Sequence, residues 1–365
     1  MNPFVLNYNP KYFCDREEEI KLLKQNTING LNTLVHSPRR FGKSAMIHHL
    51  FHQIEAEGSF ETLYIDLFSS ENLEDFSRLF GENLLKKYHQ RNIISGIKKL
   101  FKGLYASVSF SADGTPHLSL NIGEGQINSS LEQLFNYLEN RKKPVLVAFD
   151  EFQEVATYPE KAEAALRTII QQLSNVHFIF SGSSMHILQN MFFSAKQAFY
   201  RSSESLIIKE IDTDKYAEFI KNNFKKKGKS ISDDAIKHLL EFTRTHTYYT
   251  QVICNLAFYK TTKKLNLLNA IQITDNYIET HKVDYIGISR LLSDNQLKVM
   301  KAIAKEKNVK KPTAVDFLIK HQLPSASSTL QSLNALLNKE MIYEDEYDGY
   351  RVYDVFYMRF LEKYY

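Results

Sequence analysis

Residues 37 to 44 read Ser-Pro-Arg-Arg-Phe-Gly-Lys-Ser, between a short apolar run, Thr33-Leu34-Val35, and a stretch of helical character over residues 45 to 54. A strand that runs through such a loop into a helix aims successive backbone N–H groups, a lysine ammonium and a helix N-terminus at one polyphosphate, and leaves a hydroxyl for its magnesium. Lys43 and Ser44 fit the last two roles, with Pro38, Arg39, Arg40, Phe41, Gly42 and Ala45 completing the cradle. The pattern G-x-x-x-x-G-K-[ST] is met except that Ser37 replaces the first glycine, so a strained turn is expected there. Alone, Gly-Lys-Ser could also open an ordinary helix.

A second segment narrows the reading. Pro144-Val145-Leu146-Val147-Ala148-Phe149-Asp150-Glu151 is a continuous apolar run ending in two carboxylates, as suits a strand buried on both faces. A buried parallel strand delivers its carboxyl-end residues to the ligand crevice. Asp150 would then hold magnesium through water, and Glu151 would polarise the water that attacks a γ-phosphate.

Composition bounds the rest. The 365 residues, 43% hydrophobic and 24% charged, suffice for a sizeable core and two or three domains. No apolar run approaches the roughly eighteen residues needed to span a bilayer, and the N-terminus lacks signal-peptide order, so a soluble cytoplasmic protein without a membrane partner is expected. Cys14 and Cys254 are too few for a disulfide framework, in keeping with a reducing compartment. A net charge of +4, from 46 basic and 42 acidic residues, makes no argument for nucleic acid by itself. His48 and His52 lie four apart after the loop, as zinc-binding pairs do, but no acidic or cysteine partner stands at ligand spacing, and zinc is not expected.

Along the chain, apolar strand candidates at 33–35, 63–67, 145–149 and 176–180 alternate with helical stretches, which predicts a parallel sheet with flanking helices over residues 1–210. Period-two alternation around Asp113-Gly114 predicts a β-hairpin at about 105–122, inserted at the sheet's edge. Residues 211–285 carry helical spacing at 216–224, 233–243 and 249–259, a small helical lid. Residues 286–365 predict three helices, 295–305, 313–321 and 327–339, then a hairpin: a winged helix-turn-helix. Its third helix offers Ser327, Ser328, Gln331, Ser332 and Asn334, with no Arg or Lys before Lys339. Phosphate contacts supply most duplex affinity, so a protein contact or self-association is favoured over DNA. The aromatic terminal segment 353–361 is expected to dock on the nucleotide-binding core or on a partner.

Five segments together resemble the archaeal-type ATPase family, P-loop ATPases close to the AAA-like and STAND groups. Phe13-Cys14-Asp15-Arg16-Glu17-Glu18-Glu19-Ile20 is similar to the family's F-x-G-R-E-x-E-L box beside the adenine site, with Asp15 where glycine is expected. Residues 37–44 resemble its G-P-R-R-x-G-K-[ST], Leu63-Tyr64-Ile65-Asp66-Leu67 its Y-x-D-L strand, Phe149-Asp150-Glu151-Phe152-Gln153 its D-E-F-Q segment, and Phe180-Ser181-Gly182-Ser183-Ser184 its G-S-S sensor strand. The resemblance implies ATP and magnesium as ligands, with Arg16 and Ser183 in the nucleotide site. Tyr200-Arg201-Ser202 stands where the family often has Tyr-Gly-Arg, which makes Arg201 a candidate γ-phosphate contact, in its own or a neighbouring subunit's site. In the lid, Thr245-His246-Thr247 lacks the glycine and proline of related proteins; His246 could still approach the nucleotide.

The combined expectation is an ATP-hydrolysing conformational switch. Lys43 would neutralise the β- and γ-phosphates, Ser44 and Asp150 would hold magnesium, and Glu151 would activate water. The rival is a nucleotide-gated binding module with little hydrolysis, acting on DNA or a protein through its winged helix.

Overall fold

A computed structural model describes residues 2–88, 105–110, 116–121, 127–345 and 349–365. The chain forms two compact units, Arg16–Lys209 and Met1–Asp15 with Glu210–Tyr365.

In the first unit, helix α1 (Glu17–Ile28) leads to β1 (Thr33–His36), α2 (Lys43–Glu57), β2 (Glu61–Asp66) and α3 (Leu73–Tyr88). Next come β3 (Tyr105–Phe110), β4 (Pro116–Asn121), α4 (Ile127–Glu139), β5 (Val145–Asp150), a 3-10 turn (Phe152–Thr157), α5 (Ala162–Ile170), β6 (Val176–Gly182), α6 (Met185–Phe193) and β7 (Glu204–Ile207). Five strands make one parallel sheet in the order β2-β5-β6-β1-β7, so the loop after β1 and the acidic tip of β5 emerge at the same carboxyl edge. All six residues of β5 are buried, which explains its unbroken apolar run. One side of the sheet packs Phe149, Phe178 and Phe180 with Phe76, Phe80 and Phe135 from the covering helices, the rings of Phe149 and Phe178 lying stacked 6.0 Å apart. Alternation sends Tyr64, Asp150 and Ser181 to the opposite face.

The predicted hairpin exists as β3 and β4, antiparallel from Tyr105↔Asn121 to Phe110↔Pro116. It forms its own two-stranded sheet instead of extending the edge of the main one; the Asp113-Gly114 turn lies outside the described residues. Strand β7 is a fifth strand that the four apolar candidates did not include.

The second unit contains α7 (Thr213–Lys226), β8 (Ser230–Ile231), α8 (Asp233–Thr243), α9 (Thr247–Lys260), β9 (Lys264–Leu265), α10 (Leu267–Thr280) and α11 (Lys282–Arg290). The winged helix follows: α12 (Asp294–Glu306), α13 (Val315–Lys320), α14 (Ala326–Asn338), the antiparallel pair β10 (Ile342–Asp345) and β11 (Gly349–Val352), and α15 (Val355–Tyr364). Helical stretch and winged helix share a single hydrophobic core, which also takes in Phe4, fully buried against Phe219, Phe224 and Phe258. The aromatic terminal segment is part of that core: Phe356 meets Phe242, Tyr249 and Tyr277 at 6.2, 4.7 and 4.5 Å between ring centroids. Its aromatics are therefore covered by α8, α9 and α10 of its own unit. Among the described residues, no helix is long and apolar enough to cross a membrane.

Candidate active site

The loop after β1 differs from the expectation at its first position. Ser37 is fully buried but does not adopt a positive φ; the left-handed turns fall at Arg40 (φ 66°) and Gly42 (φ 96°). No strain is therefore stored at Ser37, and its replacement of glycine costs nothing in backbone conformation. Its side chain has work instead: Oγ donates to the Pro38 carbonyl at 3.1 Å and accepts from Lys43 Nζ at 3.4 Å. Lys43 opens α2, is buried, and donates also to the carbonyls of Ser37 (3.1 Å) and Pro38 (3.3 Å). Burial lowers its pKa, an effect opposed by the charges of Glu151 and Asp150. The ammonium is thus buried inside a curl of its own loop, at the positive end of a fifteen-residue helix.

Asp150, the last residue of β5, is the hub of the site. Its Oδ2 accepts from Ser44 Oγ at 2.5 Å and from the Tyr64 hydroxyl. Its Oδ1 accepts from the Ser181 hydroxyl and from the Glu151 backbone N–H at 3.1 Å. Burial pushes this carboxyl up, but hydrogen bonds from Ser181, Ser44 and Tyr64 and the Lys43 charge outweigh it, and the group sits below the usual carboxylate range. Asp66 pairs with Asp150 in the β2–β5 register, and there burial and the neighbouring Asp150 and Glu151 charges push the carboxyl up. The ring of His48, one turn beyond Ser44 on α2, lies 4.3 Å from that of Tyr64.

Glu151 follows in a left-handed conformation, φ 54° and ψ 41°, which for a non-glycine residue costs of order 1 kcal/mol. Its Oε2 accepts two bonds, from Gln153 Nε2 at 2.6 Å and from Ser183 Oγ at 2.9 Å. Ser183 sits just past the end of β6, so the sensor strand holds both acids: Ser181 binds Asp150 and Ser183 binds Glu151. On the other side of the loop, His36 at the end of β1 is buried, with Nε2 2.9 Å from Ser205 Oγ, and Nδ1 has no partner among the described residues. Burial, then the Lys43 charge, lower its pKa to about 4.

The structure thus gathers Ser37, Pro38, Lys43, Ser44, Asp150, Glu151 and Ser183 at one sheet edge, with Phe41 buried, Ala45 half-buried, and Arg39 and Arg40 exposed on the loop. Arg16 lies in the same unit and is buried at the start of α1, in a left-handed conformation (φ 78°). Its guanidinium donates to Glu19 Oε1 at 2.9 Å and to the Lys209 carbonyl at 2.5 Å. Asp15 before it also has positive φ (62°), the geometry a glycine would meet without cost. Arg201 is exposed between α6 and β7, its guanidinium 5.4 Å from the ring of Tyr200. His246 belongs to the other unit, where it precedes α9 and its ring lies 4.6 Å from that of Tyr249. Sequence reasoning passed over Tyr64, Ser181 and Gln153 as site residues. For Ser181 the available signal was a hydroxyl one residue before the end of a mostly apolar strand; Tyr64, followed on the same face by Asp66, and Gln153, in the 3-10 turn after β5, carried none.

A hydroxyl and a carboxylate within hydrogen-bond reach of each other, both hard oxygen donors, suit a divalent cation such as magnesium. The buried lysine and the helix N-terminus beside them suit the phosphates that such a cation accompanies.

A family model described as an ATPase domain predominantly from Archaea matches residues 13–251, and one described as a probable winged helix domain matches residues 283–363. Among solved structures, the chain is similar to the Walker-type ATPase of Pyrococcus abyssi, at 17% identity over 99% of each chain with a TM-score of 0.66. It is similar to the Aeropyrum pernix ORC2 protein in ADPNP–ADP complexes, at 13% identity over 99% of this chain and 96% of that one, TM-score 0.59. The Aeropyrum pernix ORC1 protein in complex with DNA follows at 11% identity over 100% and 96%, TM-score 0.53. Likeness at these identities establishes a shared fold. No curated protein matches the chain.

Proposed function

The chain belongs to the family of ATPase domains predominantly from Archaea, here with a C-terminal winged helix, and we propose that it binds ATP with magnesium at the β1–α2 loop and hydrolyses it to switch conformation. The observation that carries the reading is the contact of Ser44 Oγ with Asp150 Oδ2 at 2.5 Å, directly beside Glu151. When bound there, magnesium would supply Lewis-acid neutralisation of the phosphate oxygens, held by Ser44 and Asp150. Lys43 turns its ammonium from the Ser37 and Pro38 carbonyls to the β- and γ-phosphates, an exchange of neutral acceptors for charged ones. Glu151 accepts the proton of the attacking water. Arg16 and His246 are proposed nucleotide contacts and Arg201 a proposed γ-phosphate contact, of its own or a neighbouring subunit's nucleotide.

Steady-state phosphate release tests this. Turnover should exceed that of Glu151→Gln by a wide margin; equal rates would leave nucleotide-gated binding without hydrolysis as the function. For the winged helix we propose a protein contact or self-association. The exposed residues of α14 include Ser327, Leu330, Gln331 and Asn334 but no cation before Lys339, whereas Ser332 is turned inward. Such a face suits a protein better than a duplex, whose phosphates demand cations.

A further inference from the structure

Two donors converge on one oxygen of Glu151, and one of them is costly to keep. Gln153 is 3% exposed, and its amide oxygen is buried with no partner among the described residues. Leaving a buried amide oxygen unsatisfied is costly, and an apolar side chain of similar size would avoid that cost. What the amide does make is a pair of bonds from Nε2, to Glu151 Oε2 at 2.6 Å and to Glu154 Oε1 at 3.3 Å. Both acceptors are carboxylates, so the nitrogen must face them. The space for this arrangement comes from β6: a Cβ placed on Gly182 would stand 2.0 Å from Gln153 Oε1. Glycine between Ser181 and Ser183 is thus required by a side chain across the site, and not by its own backbone angle.

From this geometry we infer that Gln153, seated against Gly182, is a positioning residue for Glu151: with Ser183 it occupies Oε2 and so presents Oε1 to the attacking water. The inference rests on the hydrolytic reading above. Two bonds to one oxygen, in addition to the left-handed backbone, fix the carboxylate in both direction and rotation, and loss of such alignment weakens a general base without removing it. Gly182→Ala should act by displacing Gln153, so the two substitutions belong to one unit and their effects should not add.

The experiment uses the full chain and two readouts. In nucleotide-free protein, the Gln153 side-chain amide resonance, assigned by its disappearance in Gln153→Ala, should be protected from solvent exchange, and Glu151→Ala or Gly182→Ala should remove the protection. In turnover, Gln153→Ala should lower kcat roughly tenfold with KM for MgATP changed by less than about twofold. Gly182→Ala should match it, and the double variant should be no worse than either. Gln153→Asn, which keeps an amide at the same place, should recover part of the rate that Gln153→Ala loses. Circular dichroism establishes that each variant is folded. An unprotected Gln153 amide, additive losses, or a normal kcat in a folded Gln153→Ala would overturn the inference while leaving the hydrolytic reading intact. A wild-type rate equal to that of Glu151→Gln would overturn the reading, and the inference with it.

Discussion

The two units use their buried polar groups in opposite ways. In Arg16–Lys209, Ser44, Tyr64 and Ser181 converge on the Asp150 carboxylate, and the adjoining Glu151 is held in an unfavourable backbone conformation. In the other unit, arginines tie helices together. Arg359 donates to the carbonyls of Phe242 (2.8 Å) and Glu241 (2.5 Å), closing the C-terminus of α8 with a side chain from α15. Arg244, where the chain leaves α8, donates to the Lys307 carbonyl at 3.1 Å and to Asn308 Oδ1 at 2.5 Å, and Arg351 pairs with Glu210 at 2.9 Å. Burial and the nearby Arg351 charge push Arg244 down to about 10. The first arrangement concentrates charge where a ligand can use it; the second spends charge on joining the helical stretch to the winged helix. Local strain and converging donors mark a site, whereas a polar group shared between elements marks a joint.

Substitutions can break that distinction, starting with the one of largest effect. Lys43→Ala removes the buried ammonium and is expected to lower ATP affinity by more than about a hundredfold, below calorimetric detection, with the fold retained. Unchanged affinity would mean that this loop is not the phosphate site. Glu151→Gln keeps shape and hydrogen-bonding capacity but cannot take a proton, so turnover should fall by roughly a hundredfold or more with binding preserved. Asp150→Ala should instead weaken magnesium-dependent binding. Identical phenotypes for the two acids would dissolve the division of labour proposed between them.

The joint is tested by Phe356→Ala. The ring fills a cage of Phe242, Tyr249 and Tyr277 and is buried. Its loss should destabilise the helical unit by about 3–5 kcal/mol in thermal unfolding, without lowering the ATP affinity of the remaining folded protein. A parallel loss of nucleotide affinity in the folded variant would show that the packing of this unit and the nucleotide site of the other are not independent.

How much of this was legible beforehand follows the reach of each signal. The β1–α2 loop and the acid pair are local patterns, since a strand, a turn and a helix start lie within a few residues, and both were readable. The bonds from Tyr64 and Ser181 to Asp150 depend on three strands being paired in register, and no local pattern encodes which hydroxyl meets which carboxylate. Helix α10 went unseen because its segment mixes Ile273, Thr274, Ile278 and Thr280 with polar residues, a content neutral between helix and strand; packing decides it. Strand β7 is four residues long with a single buried one, Leu206, too little alternation to register. The strain assigned to Ser37 was misplaced because a motif gives residue types and not the path of the chain; the positive φ angles fell at Arg40 and Gly42.

The smallest effect concerns His36, a buried neutral group inside the charged unit. Its folded pKa of about 4 lies below the ordinary histidine value of about 6.5, so well above pH 6.5 both folded and unfolded chains carry it uncharged and it contributes no pH dependence. Between pH 6.5 and about 4 the unfolded chain binds a proton that the folded chain does not, and stability should fall as pH falls, by about 2 kcal/mol at pH 5. The cause lies in its place at the end of β1: burial excludes water, and the Lys43 ammonium repels a second positive charge. His36→Gln should therefore flatten the acid limb of urea-unfolding stability, while a glutamine amide can still reach Ser205 Oγ. Polyphosphate bound beside Lys43 would offset that ammonium, so the wild-type limb should also flatten when ATP is present. A wild-type chain whose stability between pH 7.5 and 5 changes no more than that of His36→Gln would show that the histidine, like the arginines of the other unit, is a passive part of the packing.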